Sequence, residues 1–117
     1  MDEEKLLKLA KRISNGLPEV TRSEWMRWTQ IAQIYGLERA IEIASKLGDD
    51  ITLRPAIKHS NELIARTMNH NYRDFSNLKA TEQRNLLGYV SWILIVESKS
   101  QSSKRKSEDR YNEPLVV

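Results

Sequence analysis

The chain has 117 residues, a hydrophobic content of 39% and a formal net charge of +3 at pH 7. This length predicts one domain, because a single core usually organises about 100–200 residues. The sequence contains no cysteine, which excludes disulfide frameworks and zinc–thiolate sites and fits a reducing, cytoplasmic environment.

The first predicted helix covers residues 3–14, which carry a single apolar stripe. The stripe consists of Leu6, Leu7, Leu9, Ala10 and Ile13. Asn15-Gly16 and then Pro18 end this helix, since neither glycine nor proline favours its continuation. The residues before the stripe are acidic and then amphipathic, which is not the pattern of a secretory signal.

The second predicted helix begins at residues 21–24, whose sequence Thr-Arg-Ser-Glu is a capping box. Trp25, Trp28 and Tyr35 recur at helical spacing beside apolar neighbours, a pattern more typical of a core than of base stacking. If Trp25 were partly exposed, it would instead be an anchor for a protein partner. Gly36 stops this helix.

The third predicted helix spans residues 37–47, and the segment 29–37 before it is similar to the first helix and turn of a helix-turn-helix. In that arrangement the third helix would lie in the major groove of DNA. Its first turns expose Glu38 and Glu42, however, and carboxylates repel phosphates and acceptor-rich base edges. An ordinary αα-hairpin explains the same spacing, and the two interpretations stay open.

Two further helices are predicted around a loop at residues 71–80. The fourth begins at Pro55, whose missing N–H would have no partner in a first turn, and fades at residues 69–71. The fifth is capped by Thr81. Its β-branched run at residues 90–96 would also suit a strand, but no second strand exists to pair with it. The same run is far too short to span a bilayer, so no membrane association is expected.

These elements predict an all-α fold, a compact bundle of about five helices in residues 1–97. From residue 98 the composition becomes serine-rich and basic, with the cluster Lys104-Arg105-Lys106. Such a segment cannot bury enough apolar surface to offset its ordering entropy. Residues 98–117 are therefore predicted to be a disordered polar tail unless a partner holds them.

The sequence contains no recognisable catalytic or metal-binding motif. His59 with Glu62, and His70 with Asp74, could in principle hold a divalent ion, but HExxH is absent and the pairs lie about three turns apart. The four glycines are scattered, so no glycine-rich phosphate loop exists. We therefore expect a non-enzymatic protein with no catalytic residue, no metal and no cofactor.

The most concentrated chemical signal is the stretch 53–84, where six cations stand against three carboxylates. Amide side chains, Tyr72 and Phe75 lie among these charges, a mixture that suits a phosphate backbone with its bases. The residues predicted to bind nucleic acid are Arg54, Lys58, Asn61, Arg66, Asn69, Tyr72, Arg73, Lys79 and Arg84. The alternative is a solvated helix face with a polar loop, in which Tyr72 and Phe75 fill the core.

A small, cysteine-free helical domain with a basic middle resembles the small subunit of CRISPR effector complexes over residues 3–97. The resemblance implies a cytoplasmic subunit of an antiviral ribonucleoprotein that holds RNA or displaced single-stranded DNA. It also implies packing against other subunits, including several copies of itself. The resemblance transfers no individual residue, so the predicted contacts rest on charge alone. A helical protein–protein adaptor and a helix-turn-helix regulator are the alternative functions.

Overall fold

The computed structural model describes the backbone of residues 2–112 and the side chains of residues 2–97. The described chain forms six helices and no strand. They are α1 (Glu3–Asn15), α2 (Arg22–Tyr35), α3 (Leu37–Gly48), α4 (Pro55–His70), α5 (Tyr72–Phe75) and α6 (Ala80–Asn112). The predicted all-α bundle is confirmed, and the β-branched run at residues 90–96 is helical.

The predicted tail, residues 98–117, lies outside the described side chains, and its last five residues lie outside the described backbone. The structure has one helix more than the sequence predicts. This additional helix is α5, a single turn inside the predicted loop at residues 71–80. Phe75 in this turn is fully buried, so core packing rather than local propensity holds the turn in place. None of the helices in the described part of the chain has both the length and the apolar character that crossing a bilayer requires.

The helices begin and end largely where the sequence predicts. The Asp2 carboxylate accepts a hydrogen bond from the Lys5 N–H at 2.8 Å and caps α1. Pro55 occupies the first turn of α4. Between α2 and α3 the backbone of Gly36 adopts φ +89°, a conformation that side chains with a Cβ disfavour, so the chain can turn there without strain.

The predicted capping box at residues 21–24 is only half formed. The Thr21 hydroxyl accepts the Glu24 N–H at 3.3 Å, as predicted. The Glu24 carboxylate, however, accepts hydrogen bonds from Arg27 and Asn61. The Thr21 N–H donates instead to the Ser60 hydroxyl at 3.1 Å. The start of α2 is therefore fastened to α4, which local sequence does not reveal.

The core lies between two helix pairs, α3 with α4 and α1 with α6, and α2 contacts α3, α4 and α6. Gly48 allows the close approach of α3 to α4, because a Cβ there would lie only 3.0 Å from the Glu62 Cα. Trp25 and Trp28 are both buried, with ring centroids 5.3 Å apart. Trp25 therefore cannot anchor a partner, and the aromatic pair belongs to the core.

Two residues of the predicted apolar stripes are exposed instead. Leu7 is 37% exposed, because it lies at the outer edge of the α1 stripe, next to the buried Leu6. Tyr35 is 63% exposed, because it is the last residue of α2, where Gly36 turns the chain into α3. The sequence pattern therefore overestimates how much of these helices the core covers.

Candidate nucleic-acid interface

Three of the predicted cations belong to α4 and its N-terminus. Arg54 immediately precedes the helix, and Lys58 and Arg66 lie about two turns apart on its outer side. Arg54 and Arg66 are exposed, and Lys58 is partly exposed. Glu62 lies between Lys58 and Arg66 at helical spacing. The cations are spread along about 18 Å of helix axis, given a rise of 1.5 Å per residue.

A fourth cation, Arg73, is exposed on α5, which packs against α4. The neighbouring carboxylate, Asp74, does not neutralise it, because Asp74 accepts a hydrogen bond from Arg12 of α1 at 2.7 Å. We refer to Arg54, Lys58, Arg66 and Arg73 as the cationic surface. Lys79 is exposed just before α6, with its N–H donated to Glu82 at 3.2 Å.

Some cations of the protein form ion pairs with carboxylates of the same chain, and others form none with a described side chain. Outside the stretch 53–84, ion pairs engage Lys8, Arg12, Arg27, Arg39 and Lys46. Among the six predicted cations, Arg66 alone forms an ion pair with a described side chain, Glu62 at 3.2 Å. Such an exposed pair at i,i+4 contributes only about 0.3–0.5 kcal/mol, so a phosphate could replace it.

Asn61 does not belong to the cationic surface, which corrects its prediction as a nucleic-acid contact. It is 1% exposed, and its amide donates to the Glu24 carboxylate at 2.9 Å and to the Ile57 carbonyl at 2.8 Å. The sequence contained the signal for this burial. Asn61 shares one helix face with the apolar residues Ile57, Ile64 and Met68, because spacings of three, four and seven residues return to the same side.

Asn69 and Tyr72 lie next to acidic residues of α3. Both line a shallow groove with Glu38 and Glu42 of α3. The Tyr72 hydroxyl donates to the Glu38 carboxylate, and its ring meets Phe75 edge-on with centroids 5.5 Å apart. Carboxylates repel a phosphate backbone, but Glu42 is compensated by Arg39 and Lys46, so the contacts of Asn69 and Tyr72 with nucleic acid stay predictions.

The hydrogen bond from Tyr72 to Glu38, assisted by partial burial and by the carboxylate charge, raises the pKa of Tyr72 above 10.0. This contact stabilises the fold fully at pH values below 10 and is lost as the pH rises through the raised pKa. We predict that Glu38→Gln lowers the Tyr72 pKa toward 10, as measured by NMR titration of ring-labelled tyrosine. The pKa of Tyr89, raised by Glu3, should not move. An unchanged Tyr72 titration would contradict this contact.

Arg84 belongs to α6 and not to α4 or α5, which carry the cationic surface. It lines two grooves, one with residues of α1 and α6 and one with residues from the ends of α2 and α3 and the start of α6. Neither groove contains a residue of α4 or α5. Arg84 therefore borders two grooves that none of the four cations of α4 and α5 lines.

The helix-turn-helix interpretation receives no support from the charges on α3. Glu42 accepts a hydrogen bond from Arg39 at 2.9 Å and pairs with Lys46 at 3.7 Å. The hydrogen bond from Arg39 and the two positive charges lower the pKa of Glu42 below 4.5. Glu42 thus shares its charge between Arg39 and Lys46, and with Glu38 at the first turn the exposed charges of this helix sum to zero. A face of this kind does not suit the major groove.

No group of three or more metal-ligating side chains occurs among the residues whose positions are described. His59 contacts Glu19 at 2.6 Å, and Asp74 is engaged by Arg12, so the two pairs considered from the sequence have other partners. No family model matches the chain, and no curated protein or solved structure matches it. The fold and the surface thus define a small all-α protein, and its function has to be argued from that surface.

Proposed function

We propose that this chain is a non-enzymatic, nucleic-acid-binding subunit of a larger ribonucleoprotein, similar in role to the small helical subunit of CRISPR effector complexes. It holds RNA or displaced single-stranded DNA on the cationic surface and packs against neighbouring subunits. The observation that carries the proposal is the set of four cations on adjacent helices. Three of them, Arg54, Lys58 and Arg73, have no carboxylate partner among the side chains of residues 2–97.

The chemistry of these side chains fits a strand held by its backbone. Guanidinium groups bind phosphate oxygens through two parallel hydrogen bonds, and the Lys58 ammonium acts as a point charge. Neutralising phosphates releases counterions, which makes binding independent of sequence and strongly dependent on salt. Glu62 and Asp74 border the cations and keep the affinity of one copy modest. Several copies on one strand would bind far more tightly.

We predict that the double variant Arg66→Glu/Arg73→Glu binds single-stranded nucleic acid about tenfold more weakly or worse at moderate salt. The slope of log affinity against log salt should fall by about 1.4, since each phosphate contact on a single strand contributes about 0.7. Fluorescence anisotropy with mixed-sequence RNA and DNA oligonucleotides, titrated over a range of salt concentrations, measures both quantities.

The matched control is Lys5→Glu/Arg22→Glu, which changes the net charge equally. Both residues are exposed in the first turns of α1 and α2, and neither forms an ion pair with a described side chain. Glutamate is favourable at such positions, so the control should fold normally. An equal loss of affinity in control and test variants, or no loss in either, would contradict a specific cationic surface.

A helical adaptor is the second candidate function, and one observation favours it. An adaptor needs an exposed aromatic residue as an anchor for its partner. Trp25 is buried, but Trp92 of α6 is 61% exposed and could take this role. An adaptor would bind a protein on that side and show no salt-sensitive affinity for nucleic acid. The anisotropy titration of the unmodified chain therefore separates the two candidates.

A further inference from the structure

The segment 86–96 of α6 is apolar on nearly every side, with Gly88 and Ser91 as its exceptions. A helix that buries one face against a bundle normally carries polar residues on the other, and one that is apolar all round requires cover all round. The bundle covers one side only, through Leu86, Leu87, Val90 and Ile93. On the opposite side Trp92 and Val96 are exposed, as judged from the described residues.

That outer side forms a regular stripe. Arg84, Gly88, Trp92 and Val96 recur at intervals of four residues and are all exposed. Leu7 of α1 borders the same groove as Arg84, Gly88 and Trp92. Beyond the neighbouring residues and backbone of α6 itself, no described atom lies within 4 Å of where a Gly88 side chain would begin, so open space lies one turn from the exposed Trp92.

The α1 side of this groove is charged in a matching pattern. Glu4, Leu7 and Lys11 lie on one outward side of α1, because residues three and four apart share a face. Lys11 forms no ion pair among the described side chains, and Glu4 has only a long contact with Lys8 at 3.8 Å. Leu7 is therefore flanked by a carboxylate in one direction and an ammonium group in the other. We refer to Glu4, Leu7, Lys11, Arg84, Gly88, Trp92 and Val96 as the α1–α6 face.

We propose that the α1–α6 face binds a second copy of this chain, with the two α6 helices antiparallel. The two-fold axis would run across the helices at the level of Leu7 and Gly88. A residue on one side of this axis in one copy then faces the residue at about the same distance on the other side in the second copy. Trp92 of one copy then meets Arg84 of the other, where the guanidinium stacks on the indole. The same axis brings Glu4 of one copy opposite Lys11 of the other.

The charge pattern is what selects a second copy over another occupant. The two ends of the face are complementary to each other. On α6 a cation (Arg84) lies at one end and an aromatic ring (Trp92) at the other, and on α1 an acid (Glu4) and a base (Lys11) do the same. A single-stranded nucleic acid would meet the Glu4 carboxylate, which shares the outward side of α1 with Leu7. This inference rests on the proposed function in one respect, because it specifies how neighbouring subunits pack. The dimer contact then uses Arg84, which the sequence predicts to bind nucleic acid.

The first test is the mass of the full chain in solution, measured by sedimentation equilibrium up to about 200 µM, where mass action favours association. We expect a reversible dimer. Trp92→Glu should weaken it by about 30-fold or more, as for a central aromatic anchor. Tyr35→Glu, a matched change at an exposed aromatic residue on α2, should leave it unchanged. Because Trp92 is exposed, its replacement should not unfold the chain, which circular dichroism checks.

The second test uses charge reversal. Glu4→Lys alone and Lys11→Glu alone should each weaken the dimer several-fold, because each creates two like-charge contacts per dimer. The double variant Glu4→Lys/Lys11→Glu should restore it. A purely structural role of either residue would not produce this rescue.

A monomer throughout the concentration range would overturn the inference, as would a dimer that Trp92→Glu leaves intact. A monomer whose nucleic-acid affinity falls on Trp92→Ala would mean that the face stacks bases, which also overturns it. The proposed function fails separately. If Arg66→Glu/Arg73→Glu dimerises normally and keeps its nucleic-acid affinity, the dimer stands and the cationic surface does not.

Discussion

Replacing Trp28 with alanine is expected to reduce the free energy of unfolding by about 3–5 kcal/mol. Trp28 is 1% exposed and lies against Trp25 in the centre of the core. Its indole N–H donates to the Ala40 carbonyl at 2.8 Å and so ties α2 to α3. Truncation removes the largest class of apolar side chain and leaves a cavity that the helices can only partly close. Since small domains are stable by about 5–15 kcal/mol, the variant would be close to unfolding.

Urea denaturation followed by circular dichroism measures this change. Trp28→Phe keeps most of the buried volume but loses the hydrogen bond to Ala40, so a smaller loss of about 1–3 kcal/mol is expected. Tyr35→Ala, in the same helix but exposed, should stay within about 0.5 kcal/mol of the unmodified chain. A Trp28→Ala variant that loses under about 1 kcal/mol would contradict a core position for this residue.

The second large effect is expected at Asn61, where alanine should reduce stability by about 2–4 kcal/mol. Its amide satisfies both the buried Glu24 carboxylate and the Ile57 carbonyl, and the hydrogen bond to a charged acceptor is the stronger of the two. Without it, Glu24 keeps only the Arg27 pair and the charge is less well compensated. The start of α2 would lose one of its fastenings to α4.

This variant also tests the corrected position of Asn61. Where it remains folded, Asn61→Ala should bind nucleic acid as tightly as the unmodified chain, because the side chain never reaches the surface. Asn69→Ala, at an exposed asparagine of the same helix, should change stability by less than about 0.5 kcal/mol. A weakened affinity together with unchanged stability would show that Asn61 contacts nucleic acid after all. A double-mutant cycle with Glu24→Gln measures how strongly the two residues are coupled.

Most of the fold could be predicted because helix boundaries depend on nearby residues. Pro55 and Gly36 lie where predicted, and the Thr21 hydroxyl caps α2 within three residues. The short helix α5 could not be predicted in this way. Four residues are too few for a period, and the turn forms because Phe75 is fully buried in the core.

The candidate site was only partly predictable. The sequence shows how many cations the stretch 53–84 holds, but not which of them a distant carboxylate neutralises or which polar residue turns inward. Arg12 reaches Asp74 across 62 positions, and Arg73 forms no ion pair with a side chain of residues 2–97. The prediction assigns Asn61 to the outer surface of α4, opposite Ile57, Ile64 and Met68, although its spacing from these residues indicates the buried side.

The sequence alone determined the helical class, the order of the helices and a basic central stretch, because caps, periodicity and composition act within a few residues of each other. The tertiary structure alone decided that Trp92 lies outside, that Arg12 engages Asp74, and that the Thr21 N–H donates to Ser60. These outcomes depend on which helix packs against which, and that choice is made by residues far apart in the chain.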